Sequence, residues 1–285
     1  SSINEFLARY RIYKYNLMNT FERSNEKKSY QTGITKFSDM TKQEFAKTYL
    51  NLNYNALATF NHHPATPSNS NSAPDSYDWR DTKCVGQVKD QGSCSAYWAF
   101  SAIGNLEGLY CAEKGEYVAF SVQILIDCDI GDSGCNGGIM KNAFEWFKNN
   151  GIEKESDYPY SGSQGTCKKD PSKYIDMKVT GYSLLANWSP CDEDEMKEFL
   201  YETAPLSIAL NATPLQTYVS GILDLPSSQC NPSGINHAVL LVGYGNENGK
   251  DYWIVKNTWG KSWGENGYFR IARGKGTCGV NHYIL

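Results

Sequence analysis

The chain has 285 residues, 40% of them hydrophobic and 20% charged, with a formal net charge of −4. That balance excludes a disordered chain, and no apolar run reaches the roughly 18 residues that a membrane span needs. The slightly acidic total argues against nucleic acid as a partner, and the lack of a long apolar run against the membrane. The length suits one large domain or two smaller ones.

In chain order, residues 3–24 read as a helix, because Ile3, Phe6, Leu7, Tyr10, Tyr13 and Leu17 recur at three- and four-residue steps. Thr41-Lys42-Gln43-Glu44 is a capping-box pattern that should open a short helix through about Leu50. Residues 61–76 are Asn, Ser and Pro with almost no core-forming side chains, a connector open to proteolysis. Residues 1–72 carry +4 and residues 73–285 carry −8. This is either an electrostatic clasp, weakened as acid protonates carboxylates, or a chance asymmetry.

The body beyond the connector changes character midway. Helical patterns span 97–111, 121–127 and 138–149, the last ending at Gly151 as a C-cap. Residues 192–203 carry four acids near their start, which suits a helix N-terminus. Strand-like runs follow at 206–210, 237–244, 252–256 and 268–272. A helix-rich half followed by a sheet-rich half implies an α+β fold of two lobes, with chemistry in the cleft between them.

The nine cysteines all lie after residue 83 and none forms a CxxC pair, so tetrahedral zinc at short spacing is a poor fit and no metal is expected. Scattered cysteines at this density suggest disulfides and an oxidising compartment. Asn187-Trp188-Ser189 and Asn211-Ala212-Thr213 match the N-glycosylation pattern, each followed by a proline that makes it a poorer acceptor. Asn187 is the candidate glycan site.

The most informative stretch is Gln91-Gly92-Ser93-Cys94-Ser95-Ala96-Tyr97-Trp98-Ala99-Phe100, with Asn236-His237-Ala238-Val239 and Lys256-Asn257-Thr258-Trp259-Gly260 far downstream. With Cys135-Asn136-Gly137-Gly138, Gly243-Tyr244-Gly245 and Trp263-Gly264-Glu265-Asn266-Gly267, these segments resemble a papain-family cysteine protease of the cathepsin L group, from about Ala73 to the C-terminus. The resemblance implies a two-lobed papain-like fold, a helical lobe beside a β-barrel-like lobe. Glu5, Arg9, Tyr13 and Asn16, with Gly33-Ile34-Thr35-Lys36-Phe37-Ser38-Asp39, resemble the family's inhibitory propeptide less completely. Tyr13 stands where Phe is usual, and Thr20, Ser24 and Thr35 also depart from the pattern. The helix opens closer to the N-terminus than such propeptides usually do, which implies that part of the pro-segment is missing. By resemblance, residues 1–72 are propeptide and connector, running through the cleft against the substrate direction, and residues 73–285 are the peptidase domain.

The family chemistry needs a thiolate at a helix N-terminus, an imidazole partner, an amide that orients the imidazole and donors for the oxyanion. The matching positions are His237 as base and acid, Asn257 as its orienter, Gln91 as an oxyanion donor, and Trp259 as a cover over the Asn–His contact. Gly137 and Gly138 match the backbone that receives an extended peptide. Ile139, Met140, Ala209, Ile235 and, at the floor, Tyr283 match an apolar specificity pocket. The implied disulfides are Cys94–Cys135, Cys128–Cys167 and Cys230–Cys278, with Cys84–Cys111 as an extra bridge, which leaves Cys191 as an inert thiol.

The nucleophile is absent. Against the signature C-G-[SA]-C-[WY], the chain reads Cys94-Ser95-Ala96-Tyr97-Trp98, so Tyr97 occupies the nucleophile position and Ser95 replaces the glycine. A phenol near pKa 10 is a poorer nucleophile than a thiol near 8.5, and its ring should project to where a scissile carbonyl would sit. Cys94 is a poor substitute, because the family commits it to a disulfide. A designed knockout would change Cys to Ala or Ser, so two neighbouring departures favour divergence. The expectation is a catalytically silent, monomeric, secreted or lysosomal/vacuolar proprotein without cofactor. It would bind its own propeptide, peptides or protein substrates, and protein protease inhibitors. The alternative is an active or knocked-out endopeptidase that cleaves proteins at apolar P2 residues.

Overall fold

The computed structural model describes residues 2–24, 28–52, 72–187 and 190–285. The connector over 61–71, the Asn187 side chain and Trp188-Ser189 lie outside the described residues.

The N-terminal segment contains helix α1 (Ile3–Ser24), strand β1 (Tyr30–Thr32) and helix α2 (Lys42–Tyr49). The Thr41 capping box forms: the Thr41 hydroxyl accepts from the Glu44 N–H at 3.1 Å, and Glu44 accepts from the Thr41 N–H at 2.8 Å. Glu44 also takes a two-pronged contact from Arg9 at 2.9 and 3.0 Å, tying α1 to α2. Hydrogen bonds from Arg9 first, then from Thr41, hold its carboxyl down to about 2.

The helical lobe is built on α3 (Tyr97–Lys114), with α4 (Gln123–Cys128) and α5 (Met140–Asn149). Residues 97–108 of α3 are all buried, so the helix is covered on every side, and its polar members Ser101, Asn105 and Glu107 find buried hydrogen-bond partners. Gly104 and Gly108 permit this: a Cβ there would come within 2.8 Å of Leu240 and 2.6 Å of Pro205. The expected cap at Gly151 is not found. Helix α5 ends at Asn149, Asn150 is extended, and Gly151 instead lets the Tyr174 ring lie directly on the backbone.

The second lobe holds α6 (Glu193–Glu202) and a sheet of β2 (Tyr77–Asp78), β3 (Ala186–Asn187), β4 (Leu206–Leu210), β5 (Tyr218–Leu223), β6 (His237–Glu247), β7 (Lys250–Lys256), β8 (Tyr268–Ala272) and β9 (Tyr283–Ile284). The strand order is β1-β5-β8-β7-β6-β4-β9-β3, with β2 on β6. Strand β6 is buried over its first nine residues, which is why its sequence from Ala238 to Val242 is a continuous apolar run after His237. Strand β1 of the N-terminal segment extends this sheet antiparallel to β5, pairing Tyr30 with Gly221. The periodicity gave no sign of β5, because Ser220 and Gly221 interrupt its pattern.

One buried cluster fills the helical lobe and another the sheet lobe. The N-terminal segment contributes to both: Phe37, Phe45, Tyr49 and Leu50 to the sheet lobe, and Leu52 to the helical lobe. Disulfides join Cys84–Cys111, Cys94–Cys135, Cys128–Cys167 and Cys230–Cys278. Cys191 is a half-buried free thiol, pushed up to about 12 by burial and then by Glu193, so it is a poor nucleophile. No helix among the described residues is long and apolar enough to cross a membrane.

Candidate active site

Strands β6 and β7 pair antiparallel, with Leu240 opposite Lys256, so His237 at the start of β6 and Asn257 just after β7 meet at one end of the sheet. His237 Nε2 lies 2.9 Å from Asn257 Oδ1, and that oxygen also accepts from the Thr258 N–H at 2.9 Å. These bonds fix the amide and make Nε2 the protonated nitrogen. The Trp259 ring lies over the imidazole at 4.9 Å. Both residues are fully buried. Burial drives the imidazole down to about 4, although the Asn257 contact favours the charged form. The Tyr49 carbonyl approaches the ring without forming a proper hydrogen bond, and Nδ1 has no partner.

Tyr97 is the first residue of α3, whose N-cap Ala96 offers no side-chain acceptor and whose first turn carries no acid. The helix end therefore presents a positive potential that would stabilise an anion. A phenol stands there, fully buried, with its ring centroid 5.2 Å from that of His237. Desolvation raises its pKa far above the ordinary phenol value. The Gly138 N–H approaches the phenol oxygen without a well-formed hydrogen bond, so that oxygen has no partner.

Gln91 is buried beside the helix start. Its Nε2 donates to the Cys94 carbonyl at 3.0 Å, and its Oε1 accepts from the Thr258 hydroxyl at 2.6 Å. One of its two amide protons is thus already committed to backbone. Gly137 has φ +104, a conformation that L side chains rarely adopt. A Cβ at Gly138 would come within 2.6 Å of the Trp98 ring. The groove wall therefore stays bare backbone. Ile139, Met140, Ala209, Ile235 and Tyr283 all belong to the buried cluster that includes Leu52 of the N-terminal segment. Tyr283 pairs with Ala209 across β9 and β4, which sets both beside one another.

The N-terminal segment fills this cleft. Phe37, Phe45 and Tyr49 pack on the Trp259 ring at 5.1, 5.4 and 6.0 Å, so the tryptophan is sandwiched between that segment and His237. The Leu52 N–H donates to the Asn236 carbonyl at 3.2 Å. Lys36 reaches Asp90 at 2.7 Å and the Trp259 carbonyl at 3.1 Å.

Sequence reading missed the carboxyl pair beneath the groove wall. Asp132 accepts from the Ile139 N–H at 3.0 Å and from Asn142 at 3.1 Å, while its other oxygen and Asp129 Oδ2 are buried without partners. Desolvation and then the Asp129 charge raise Asp132 to about 8. One proton held between the two carboxyls satisfies both oxygens. A carboxyl whose folded pKa is raised contributes most below its unfolded value near 4, and that contribution is lost as pH rises through about 8. Asp132→Asn keeps the acceptor and supplies a permanent donor. It should raise the melting temperature at pH 7 by about 2–4 °C, with the gain vanishing near pH 4. Thermal melts across that range check it, and destabilisation at pH 7 would refute the shared proton.

Asn211, in the second glycosylation pattern, is buried, and its amide donates to the Asn231 carbonyl at 3.0 Å, which leaves it closed to a glycan in the folded chain.

Comparison with known proteins agrees with this architecture. The model of the papain family cysteine proteases matches residues 73–285, and that of the cathepsin propeptide inhibitor domain matches residues 1–45. Cysteine proteinase 15A of Pisum sativum is 39% identical, with 97% of this chain and 79% of the relative covered. The cathepsin L-like proteinase of Fasciola hepatica is 41% identical, with 88% of this chain and 77% of the relative covered. Among solved structures, the digestive procathepsin L2 proteinase from the Tenebrio molitor larval midgut superposes with a TM-score of 0.91 at 35% identity, covering 100% of this chain and 93% of that one. The chain belongs to the papain family of cysteine proteases, as a cathepsin L-like proprotein with the family's α+β fold and a propeptide seated in its cleft.

Proposed function

We propose that this chain is a catalytically silent member of its family, with residues 1–72 as propeptide and connector and residues 73–285 as a peptidase domain that binds peptides without cleaving them. The observation that carries the reading is Tyr97: a buried phenol at the head of α3, facing His237, where the family chemistry requires a thiolate. Passing its proton to an imidazole near 4 from a phenol above 10 is uphill by about 8 kcal/mol or more. Both groups therefore stay neutral across the physiological range, and no ion pair forms. The ring also fills the space in which a scissile carbonyl would sit.

In this reading His237, Asn257 and Gln91 are the inherited base, orienter and oxyanion donor. Gly137 and Gly138 receive peptide backbone, and Ile139, Met140, Ala209, Ile235 and Tyr283 line a pocket for apolar side chains. Protein protease inhibitors that enter such clefts are further ligands. Four disulfides support a secreted or lysosomal/vacuolar location.

The test is covalent. After an added protease removes the pro-segment, an electrophilic peptide probe should leave the mass of the body unchanged. A stoichiometric adduct on Tyr97, or on any other residue of the cleft, would overturn the silent reading.

A further inference from the structure

Of the two residues at which the chain departs from its family's nucleophile signature, Ser95 bonds one side chain of the pro-segment and Tyr97 flanks the same glycine as that side chain. Asn51 Nδ2 donates to the Ser95 hydroxyl at 3.0 Å and to the Asn136 carbonyl at 3.1 Å. The Ser95 hydroxyl donates in turn to the Thr48 carbonyl at 2.8 Å, and its backbone N–H is held by the Cys135 carbonyl at 2.9 Å. Ser95 is thus buried, fully engaged and aimed at the pro-segment.

Two buried polar atoms are left over beside it: Asn51 Oδ1, an acceptor, and the Tyr97 hydroxyl, a donor. Both lie 2.9 Å from the point where a Cβ on Gly137 would stand, so both flank the same bare Cα. Only glycine leaves that space open, and the donor and the acceptor face it from either side without meeting.

We infer that Ser95, Tyr97 and the Asn136 carbonyl form a binding site for a primary carboxamide, occupied in cis by Asn51. The hydroxyl oxygen of Ser95 and the Asn136 carbonyl accept the two N–H groups, and the phenol is the donor nearest at hand for the amide oxygen across the bare Gly137 Cα. A carboxylate fails here, because it has no N–H for either acceptor. A cysteine at 97 would be too short to reach the amide oxygen, and a glycine at 95 would have no hydroxyl. The site thus exists because of the two departures, which turn a reaction centre into a lock on the pro-segment. The Leu52 N–H bond to the Asn236 carbonyl sets the register one residue further on. This site deepens the proposed silent reading and rests on the cleft being a place of binding.

Amide hydrogen exchange on the full chain tests it. The Leu50 and Leu52 amides report the lock, and the amides of β6 and β7 report global folding. Asn51→Asp and Ser95→Gly should each speed exchange of the first pair about tenfold or more, and Tyr97→Phe about threefold or more, with β6 and β7 unchanged. Combining Asn51→Asp with Ser95→Gly should add little, because both remove the same contact. Unchanged exchange in Tyr97→Phe, whose ring shape is preserved, would overturn the site, as would independent, additive effects of the other two. Peptide hydrolysis by the unaltered protein would sink the silent reading and leave the lock standing. Unchanged exchange without hydrolysis would do the reverse.

Discussion

With the pro-segment removed by an added protease, Tyr97→Cys is expected to hydrolyse a peptide bearing an apolar residue at P2 at least about 1000-fold faster than the unaltered chain, which should not exceed background. Losing the nucleophile of a triad-type site costs up to about six orders of magnitude, while binding and oxyanion donors retain three to four over water. The geometry that the expectation needs is present: Asn257 holds the His237 imidazole at 2.9 Å, and the uncapped start of α3 favours a thiolate. Shortening the side chain also vacates the volume that the phenol fills beside Gly137. A thiolate next to His237 would draw the imidazole up from about 4, because an adjacent anion favours its charged form. The restored activity should therefore have an acid limb below the ordinary histidine range and a plateau above it. If the variant stays silent, the Gln91 amide, whose Nε2 donates to the Cys94 carbonyl, marks a cleft that has changed further. If the unaltered chain cleaves, the proposed function is wrong.

The sequence displayed the long elements through their patterns, although the apolar residues that mark α1, Ile3, Phe6, Leu7 and Tyr10, are exposed in the folded chain. Helix α1 shows its three- and four-residue step, and β6 its continuous apolar run. Strands β1, β2, β3 and β9 are two or three residues long, and their pairing is a property of the assembled sheet rather than of local pattern. The grouping of Tyr97 with His237 and Asn257 was legible only through resemblance to a family, since His237 opens β6, Asn257 follows β7 and neither carries a local signal of its own. The carboxyl pair at Asp129 and Asp132 was invisible, because nothing in an acidic loop sequence tells which oxygens lose water on folding. The role of Ser95 was equally hidden. Read along the chain it is a departure from a motif, and its meaning depends on Asn51, 44 residues away.

The second large effect concerns what holds the pro-segment on the body. In the Tyr97→Cys background, with the connector still intact, Phe37→Ala should raise the initial rate of peptide hydrolysis about 100-fold or more. Phe37 is 1% exposed and meets Phe45, Tyr49 and Trp259 at ring separations of 4.9, 4.8 and 5.1 Å. Truncating a buried phenylalanine costs about 3–5 kcal/mol, and here that loss falls on the closed cleft alone. Lys36→Ala, which removes the ion pair to a half-exposed Asp90, should change the rate by less than about fivefold, since exposed pairs contribute about 0–1 kcal/mol. Initial rates near neutral pH, with gels showing the chain uncut, separate the two. Once residues 1–72 are removed, all variants should cleave equally, because Phe37 and Lys36 leave with the pro-segment. Equal latency in the Phe37→Ala and Lys36→Ala chains would mean that the aromatic stack on Trp259 does not close the cleft, and that the hydrogen bonds around Asn51 and Leu52 suffice.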